Sequence, residues 1–388
     1  MPDHRLFINQ ENIMKNSKKK YLCIFPHLFN YHLIKDVGLL PYNMGKSFDY
    51  DAAILTYNID DYEYLKEELN SEYLKLIFLK KKFKTETRDV LWYLIKNSKK
   101  IDVLQSFHLH NTLGIFSYFL VYKFLNPKGK TYVKLDADDL ITSILISKKG
   151  VFGFLQKITI KHLIDCISVE SSKQYKKLIE TGTISPNKLI NIPNGIYINY
   201  TTKIPKKKNY ILTVGNLGTP AKATEVLLEA FSKIEKLEDW KLVLIGSIEK
   251  SFEEEYIKKY FIENPHLKDK VIFKGYVSDR DEIYKFYSQS KIFCFPSRSE
   301  SFGIALIEAA YFGNYLVTTD VGGAKDLLKI IDYGELIKQD DSDYLAERLQ
   351  KLILNPGKLE KNPKKIMKEV NENYNWSNLC KKIYKMIN

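Results

Sequence analysis

The run Lys291–Gly313 gathers residue types that can do chemistry together. An apolar strand, Lys291-Ile-Phe-Cys-Phe-Pro296, leads into the polar loop Ser297–Gly303 and then into an apolar-faced helix from Ile304, with Gly313 placed as its C-cap. The loop brings the backbone N–H groups of Ser301, Phe302, Gly303 and Ile304 to a helix N-terminus, where a phosphate binds well. Gly303 permits close approach of the main chain. Glu308 interrupts the apolar run Ile304–Ala310 and needs a partner there; its depth in the helix suits a pair of sugar hydroxyls. Glu300 stands before the helix, where it can point into a cleft. The plain alternatives are a helix-capping acid for Glu300 and a solvated helix position for Glu308.

Other groups lie in the first half of the chain. His108 and His110 follow a strand and fit either polar loop residues or an acceptor site. A zinc site would need two further ligands, and none stands at suitable spacing. Asp136, Asp138 and Asp139 also follow a strand; they suit Mg²⁺ binding or, for Asp138 and Asp139, a helix N-cap. Residues 73–100 hold nine Lys and Arg against Glu86 and Asp89, interleaved with Phe83 and Trp92. Lys80, Lys81, Lys82, Lys84 and Trp92 therefore suit an anionic membrane surface, or simply a wet lysine face. No nucleic-acid motif accompanies them.

Short β-rich runs must position these groups. Tyr21–Pro26, Ala52–Tyr57, Leu74–Leu79, Val103–Phe107, Thr131–Asp136 and Cys166–Ser171 alternate with helical patterns. The alternation restarts at Tyr210–Gly215 and continues through Lys241–Gly246, Val271–Gly275, Lys291–Pro296 and Tyr315–Asp320. Such patterns predict parallel sheets covered on both faces, in two doubly wound domains. The length of 388 residues agrees with two domains. Residues 1–20 read as a loose basic tail, 21–200 as the first domain, 201–208 as a linker, 209–372 as the second domain and 373–388 as a final helix. The four cysteines lie far apart, against a disulfide framework and for a reducing compartment. The net charge of +13 is concentrated in the first half and admits an anionic substrate or membrane. The apolar stretch Gly114–Tyr122 is too short to span a bilayer, so a cytoplasmic protein is expected, peripheral on the inner face of the membrane at most.

Six ordered motifs carry a resemblance. Glu300-x7-Glu308 with Ser-Phe-Gly between, Tyr210–Leu217 followed by Lys222, Val271–Val277, Val321-Gly-Gly323, Ile192–Ile196 and Asn375-Trp-Ser377 resemble the retaining glycosyltransferases of family 4. The resemblance implies the GT-B fold, an α/β architecture of two Rossmann-like domains facing a central cleft, with the final helix crossing back to the first domain. It implies that Lys222 and the amides of Ser301, Phe302, Gly303 and Ile304 hold the donor diphosphate beside the Gly215-Asn216 turn. Glu308 would bind the ribose, Glu300 the donor sugar, and the main chain near Val277 the base. Asp136 would face the transferring sugar, at about the position where relatives often carry His. His108, His110 and Asp138 would lie on the acceptor side. Two departures stand out: Asn216 replaces the Arg of the family's Gly-Arg-Leu turn, and Ala223 replaces the Gly after the lysine. The Asp-x-Asp of Asp136 and Asp138 is similar to the metal motif of the other, GT-A class, but the phosphate-holding groups of the second half make a metal unnecessary.

The resemblance thus implies a retaining, metal-independent hexosyltransferase. It would use a nucleotide-sugar, UDP-sugar favoured, and a glycan or polyprenyl-diphosphate-linked acceptor in surface or capsular polysaccharide synthesis. The alternatives are an inactive GT-B subunit binding a partner or glycan, and an epimerase or synthase on the same fold.

Overall fold

The computed structural model describes residues 18–109, 112–198, 205–360 and 363–388. The chain forms two compact units: residues 1–197 with 375–388, and residues 198–374. Among the described residues, the first unit holds a seven-stranded parallel sheet. Its strands are β1 (Lys20–Ile24), β2 (Asp51–Thr56), β3 (Lys75–Phe78), β4 (Val103–Phe107), β5 (Lys130–Leu135), β6 (Cys166–Val169) and β7 (Leu189–Asn191), in the order β3-β2-β1-β4-β5-β6-β7. Nearly every residue of β1, β4 and β6 is buried, as strands covered on both faces must be.

The second unit holds a six-stranded parallel sheet among its described residues. Its strands are β8 (Lys208–Val214), β9 (Lys241–Ile245), β10 (Val271–Gly275), β11 (Ser290–Phe295), β12 (Tyr315–Thr319) and β13 (Gly334–Ile337), in the order β10-β9-β8-β11-β12-β13. Each order reverses once, between β1 and β4 and between β8 and β11, and ligands of such sheets bind outside the strand ends at that reversal.

Two strands lie outside the expected set: β7 and β13, which are short edge strands without an apolar run to announce them. Lys20 opens β1 and Lys208 opens β8, so ordered strand begins inside the stretches expected as tail and linker. The rest of that tail up to residue 17, and residues 201–204 of the linker, lie outside the described residues. The segment Asp36–Pro41 opens the helix Asp36–Phe48. A Cβ on Gly38 would lie 2.2 Å from the Leu33 carbonyl oxygen, so that glycine serves packing. The last helix, Trp376–Ile387, is capped by Asn375, whose side chain accepts from the Ser377 amide. Trp376, Leu379, Cys380, Ile383 and Ile387 form its buried stripe, which packs beside the helix Asp36–Phe48 in the first unit.

Candidate functional site

At the reversal of the second sheet, β8 runs into Gly215-Asn216-Leu217 and β11 into the loop Ser297–Gly303. Lys222 and Glu300 come from these two loops and form an ion pair. The Ser297 hydroxyl donates to the same Glu300 oxygen at 3.0 Å. Lys222 Nζ also sits 5.0 Å from the centroid of the Phe295 ring. A pocket lined by Thr213, Val214, Gly215, Leu217, Lys222 and Phe295 opens there. A Cβ on Gly215 would come within 3.3 Å of Lys222 Cε, so the glycine leaves room for the lysine stem. Arg298 braces the two loops: its guanidinium donates to Glu225 at 2.5 Å, to Asp340 at 2.6 Å and to the Pro220 carbonyl at 2.8 Å.

Gly303 takes φ 89° at the N-cap of the helix Ile304–Tyr311, a left-handed conformation that favours glycine. Glu308 projects from this helix, and its side chain is only 12% exposed. Arg280, the first residue of the helix Arg280–Gln289, donates to Glu308 Oε1 at 2.7 Å, and the Tyr287 hydroxyl donates to Oε2 at 3.2 Å. Burial disfavours the charge on Arg280, but Glu308 outweighs it and holds the guanidinium more firmly protonated than usual. Ser301 and Ile304 are half-buried, and Val277 is half-buried just after β10. Asn216 is exposed, its carbonyl accepting from the Thr219 hydroxyl at 2.9 Å. Phe302 was expected to contribute its main chain. Its ring is buried and packs where a Cβ on Gly323 would otherwise lie, so only its main chain is left to meet a ligand.

In the first unit, an open pocket of about 650 Å³ lies at the reversal between β1 and β4. It is lined by Phe25, His27, Glu86, Phe107, His108 and Tyr118 among others. His27 Nε2 lies 2.7 Å from the Glu86 carboxylate. His108 takes φ 58°, and its amide donates to the Lys134 carbonyl at 2.9 Å. His110 lies outside the described residues. Beyond β5 and β6 sits a buried polar cluster. Lys134 is wholly buried and ion-paired with Glu170 and, at 3.1 Å, with Asp36. Burial opposes charge on both partners. For Lys134, the carboxylates of Glu170, Asp36 and Asp136 win and keep it protonated. Glu170 is pushed up to about 8 by burial against the pull of Lys134, with Asp136 and Asp36 adding to the rise. Several acids around one lysine favour keeping a proton among them.

Asp136 is half-buried at the end of β5, and its Oδ1 is buried with no hydrogen-bond partner among the described residues. Asp138 caps the helix Asp139–Ser147, accepting from the Ile141 amide at 2.8 Å. Asp139 pairs with Lys173 at 2.6 Å. The three carboxylates of this stretch thus have separate surroundings, and no metal-holding group of His, Cys, Asp or Glu occurs among the described residues. Lys80, Lys81, Lys82 and Lys84 are exposed, with Lys82 and Lys96 over the Trp92 ring at 5.2 and 4.6 Å.

Residues 200–370 match the family model described as glycosyl transferases group 1. This part of the chain is thus similar to the group 1 glycosyl transferases. The chain is 25% identical over 272 residues to an uncharacterized 41.2 kDa protein in the cps region of Klebsiella pneumoniae, covering 66% of this chain and 72% of that one. It is 28% identical to the capsular polysaccharide biosynthesis glycosyltransferase CapM of Staphylococcus aureus, over 53% of this chain and 56% of that one. The matched part spans about half to three-quarters of these relatives. Anabaena Alr3699/HepE, solved in complex with UDP, superposes with a TM-score of 0.71 at 15% identity, over 95% of this chain and 99% of that one. At that identity the likeness is one of fold, and it covers both sheets: the chain has the GT-B fold.

Within the matched stretch, the fold brings Lys222 and Glu300 into contact and places Glu308 in a mostly buried pair. Arg280 and Arg298 are the residues the sequence reading missed. Arg280 had a weak signal, a cation at the first turn of a helix that follows the Phe-x-Gly-x-Val element. Arg298 had only its place in the loop before Glu300. Glu170 and Asp36 of the first unit had none, because nothing local tells that they meet Lys134.

Proposed function

We propose that this chain is a retaining glycosyltransferase that moves a hexose from a nucleotide-sugar, UDP-sugar favoured, to a glycan acceptor of a surface or capsular polysaccharide. The observation that carries the reading is the pair Lys222–Glu300 at the sheet reversal of the second unit. A lysine that is partly solvent-accessible and already aimed at an anionic group can exchange that partner for a diphosphate. The UDP held by Anabaena Alr3699/HepE and the capsular role in the name of the S. aureus relative support the choice of donor and product.

In the reaction, the bond from the anomeric carbon to the diphosphate oxygen breaks and its electron pair leaves on the diphosphate. The acceptor hydroxyl forms the new C–O bond on the same face, and its proton passes to the departing diphosphate. Lys222 and the amides of Ser301–Ile304 meet the developing charge, an electrostatic contribution that is usually large. Glu308 accepts from the ribose hydroxyls while Arg280 fixes its orientation. Glu300 holds the donor sugar, the main chain at Val277 meets the base, and Asp136 faces the reacting carbon. No protein nucleophile is assigned. The acceptor is linked to a polyprenyl diphosphate, so transfer takes place at an anionic membrane surface, with the exposed Lys80, Lys81, Lys82 and Lys84 and Trp92 near it.

Thermal shift with UDP-, GDP- and ADP-sugars tests the donor. A ligand at a hundred times its Kd adds about 2.7 kcal/mol of stability, and UDP-sugars are expected to give the largest shift. Glu308→Ala should cost about 1.5–3 kcal/mol of donor binding, the worth of a hydrogen bond to a charged group. Unchanged donor affinity in a folded variant would sink the ribose assignment. Transfer is expected to survive EDTA; loss in EDTA with recovery on Mg²⁺ would reject the metal-free mechanism. A chain that binds donor yet releases no nucleotide would be the inactive subunit instead.

A further inference from the structure

The structure assigns the outward face of the helices Asp139–Ser147 and Gly150–Ile158 as a docking surface for an anionic lipid bilayer. The second of these helices is inside out for a water-facing helix. Gly153 and Gln156 are buried, while Val151 is 72% exposed, Phe154 64% and Phe152 51%. The buried Gln156 finds the Leu145 carbonyl at 2.8 Å, and Thr159 just beyond finds the Leu155 carbonyl at 2.7 Å. Its inner side thus carries polar groups, with the Gln156 side-chain oxygen left without a partner among the described residues, and its outer side is apolar. A helix meeting water shows the opposite pattern.

The neighbours extend this face. Leu140 and Ile144 are exposed one turn apart on the helix Asp139–Ser147. Phe124 is 83% exposed on the helix Thr112–Leu125, which packs against the helix Gly150–Ile158 and against the helix Glu86–Asn97. The helices Glu86–Asn97, Thr112–Leu125 and Asp139–Ser147 share one core with the first sheet, and the helix Gly150–Ile158 packs on the second of them. Large apolar side chains exposed on neighbouring helices mark an interaction site.

Charge decides the occupant. Residues 140–164 hold four lysines and no Asp or Glu. Lys149, Lys157 and Lys161 are exposed beside the apolar residues. Lysines around Val, Phe and Leu fit a leaflet of anionic headgroups over acyl chains. A second copy of this chain would set the same lysines against each other. Each helix has nine residues, and no helix among the described residues is long and apolar enough to cross a membrane. The contact is therefore one that lies on the bilayer. This deepens the membrane part of the function proposed above, and vesicle binding tests it without reference to transfer.

The test is flotation of the full chain with vesicles of phosphatidylglycerol and phosphatidylcholine, against phosphatidylcholine alone. The chain should float with the anionic vesicles about tenfold more than with the neutral ones. Val151→Ser, Phe152→Ser and Phe154→Ser combined should lower the bound fraction about tenfold, with donor binding and melting temperature unchanged. Lys149→Gln, Lys157→Gln and Lys161→Gln combined should remove the salt-sensitive part, which gives an independent arm if the first variant folds poorly. Three outcomes would overturn the assignment: flotation of both variants like the parent, no flotation of the parent, or a parent dimer that the serine variant turns into a monomer. Flotation without donor binding would reject the transferase reading and leave the docking surface standing.

Discussion

At the reversal between β8 and β11, Lys222, Glu300, Arg280 and Glu308 are each partly accessible and each already paired with a carboxylate or a cation. At the reversal between β1 and β4, the lining is Phe25, Phe107, Tyr118 and histidines, and the charges beyond β5 and β6 are buried around Lys134. The same strand order thus supports two kinds of polar arrangement. A charge pair that keeps contact with solvent can trade a partner for a ligand at little cost, because water covers the intermediate state. A wholly buried pair cannot, since parting it leaves an uncompensated charge in low dielectric. On the function proposed above, the second unit's pairs are the ones placed to exchange with an anion. In the first unit, the buried cluster ties the strand ends together, and beside it Asp136 keeps a buried oxygen without a hydrogen-bond partner among the described residues.

The strongest test of this contrast is Lys222→Ala. Removing a group that meets the leaving charge should lower transfer about 10²–10³-fold, with donor affinity falling as well. His108→Ala should leave donor affinity where it is. Calorimetry with a UDP-sugar separates the two, and an equal loss of donor binding in both variants would erase the distinction between the units.

Asp136→Asn is expected to lower turnover by about a hundredfold at most while donor affinity stays unchanged, since a group facing the reacting carbon acts in the transition state. Donor affinity lost with turnover intact would move Asp136 to the donor side.

The buried cluster predicts a pH effect. Glu170 titrates near 8 in the folded chain against 4.5 when free. Between those values the folded state holds a proton that the unfolded state has released. Stability from this group is therefore complete below about pH 4.5 and is lost as pH rises to about 8. Glu170→Gln should flatten that decline, by on the order of 3 kcal/mol between pH 5 and 8. Parallel denaturation curves for parent and variant across the range would show that Glu170 is ionised throughout.

The smallest effect concerns Ala223. It caps the helix Thr224–Ser232 at φ 48°, a left-handed conformation in which a Cβ is strained, at the position where the family carries glycine. Ala223→Gly should relieve that strain, less the extra chain entropy of glycine, for a net gain of about 0.5 kcal/mol. A lower melting temperature would show that the turn tolerates the methyl group.

What had no local signal in the sequence follows a pattern. Arg280 lies 28 residues before Glu308, and Lys134 lies 36 before Glu170 and almost a hundred after Asp36. Such pairs form because strand order sets which loops meet, and loop neighbours on the sheet are not neighbours in the chain. The helix Gly150–Ile158 gives a second instance. Its apolar residues announce a helix, but burial of Gln156 and exposure of Phe152 depend on which side the sheet takes.

By itself the sequence determined the elements that local chemistry dictates. Apolar runs of strand length became parallel strands, because both faces of such a sheet are covered. Glu300, Gly303 and Glu308 took up a loop, a left-handed cap and a helix, because each residue type suits that backbone. The tertiary structure alone decided who partners whom: Lys222 with Glu300, Arg280 with Glu308, and Lys134 with Glu170 and Asp36. Electrostatic partnership depends on distance in space and on exclusion of water, and both exist only after the sheets have assembled.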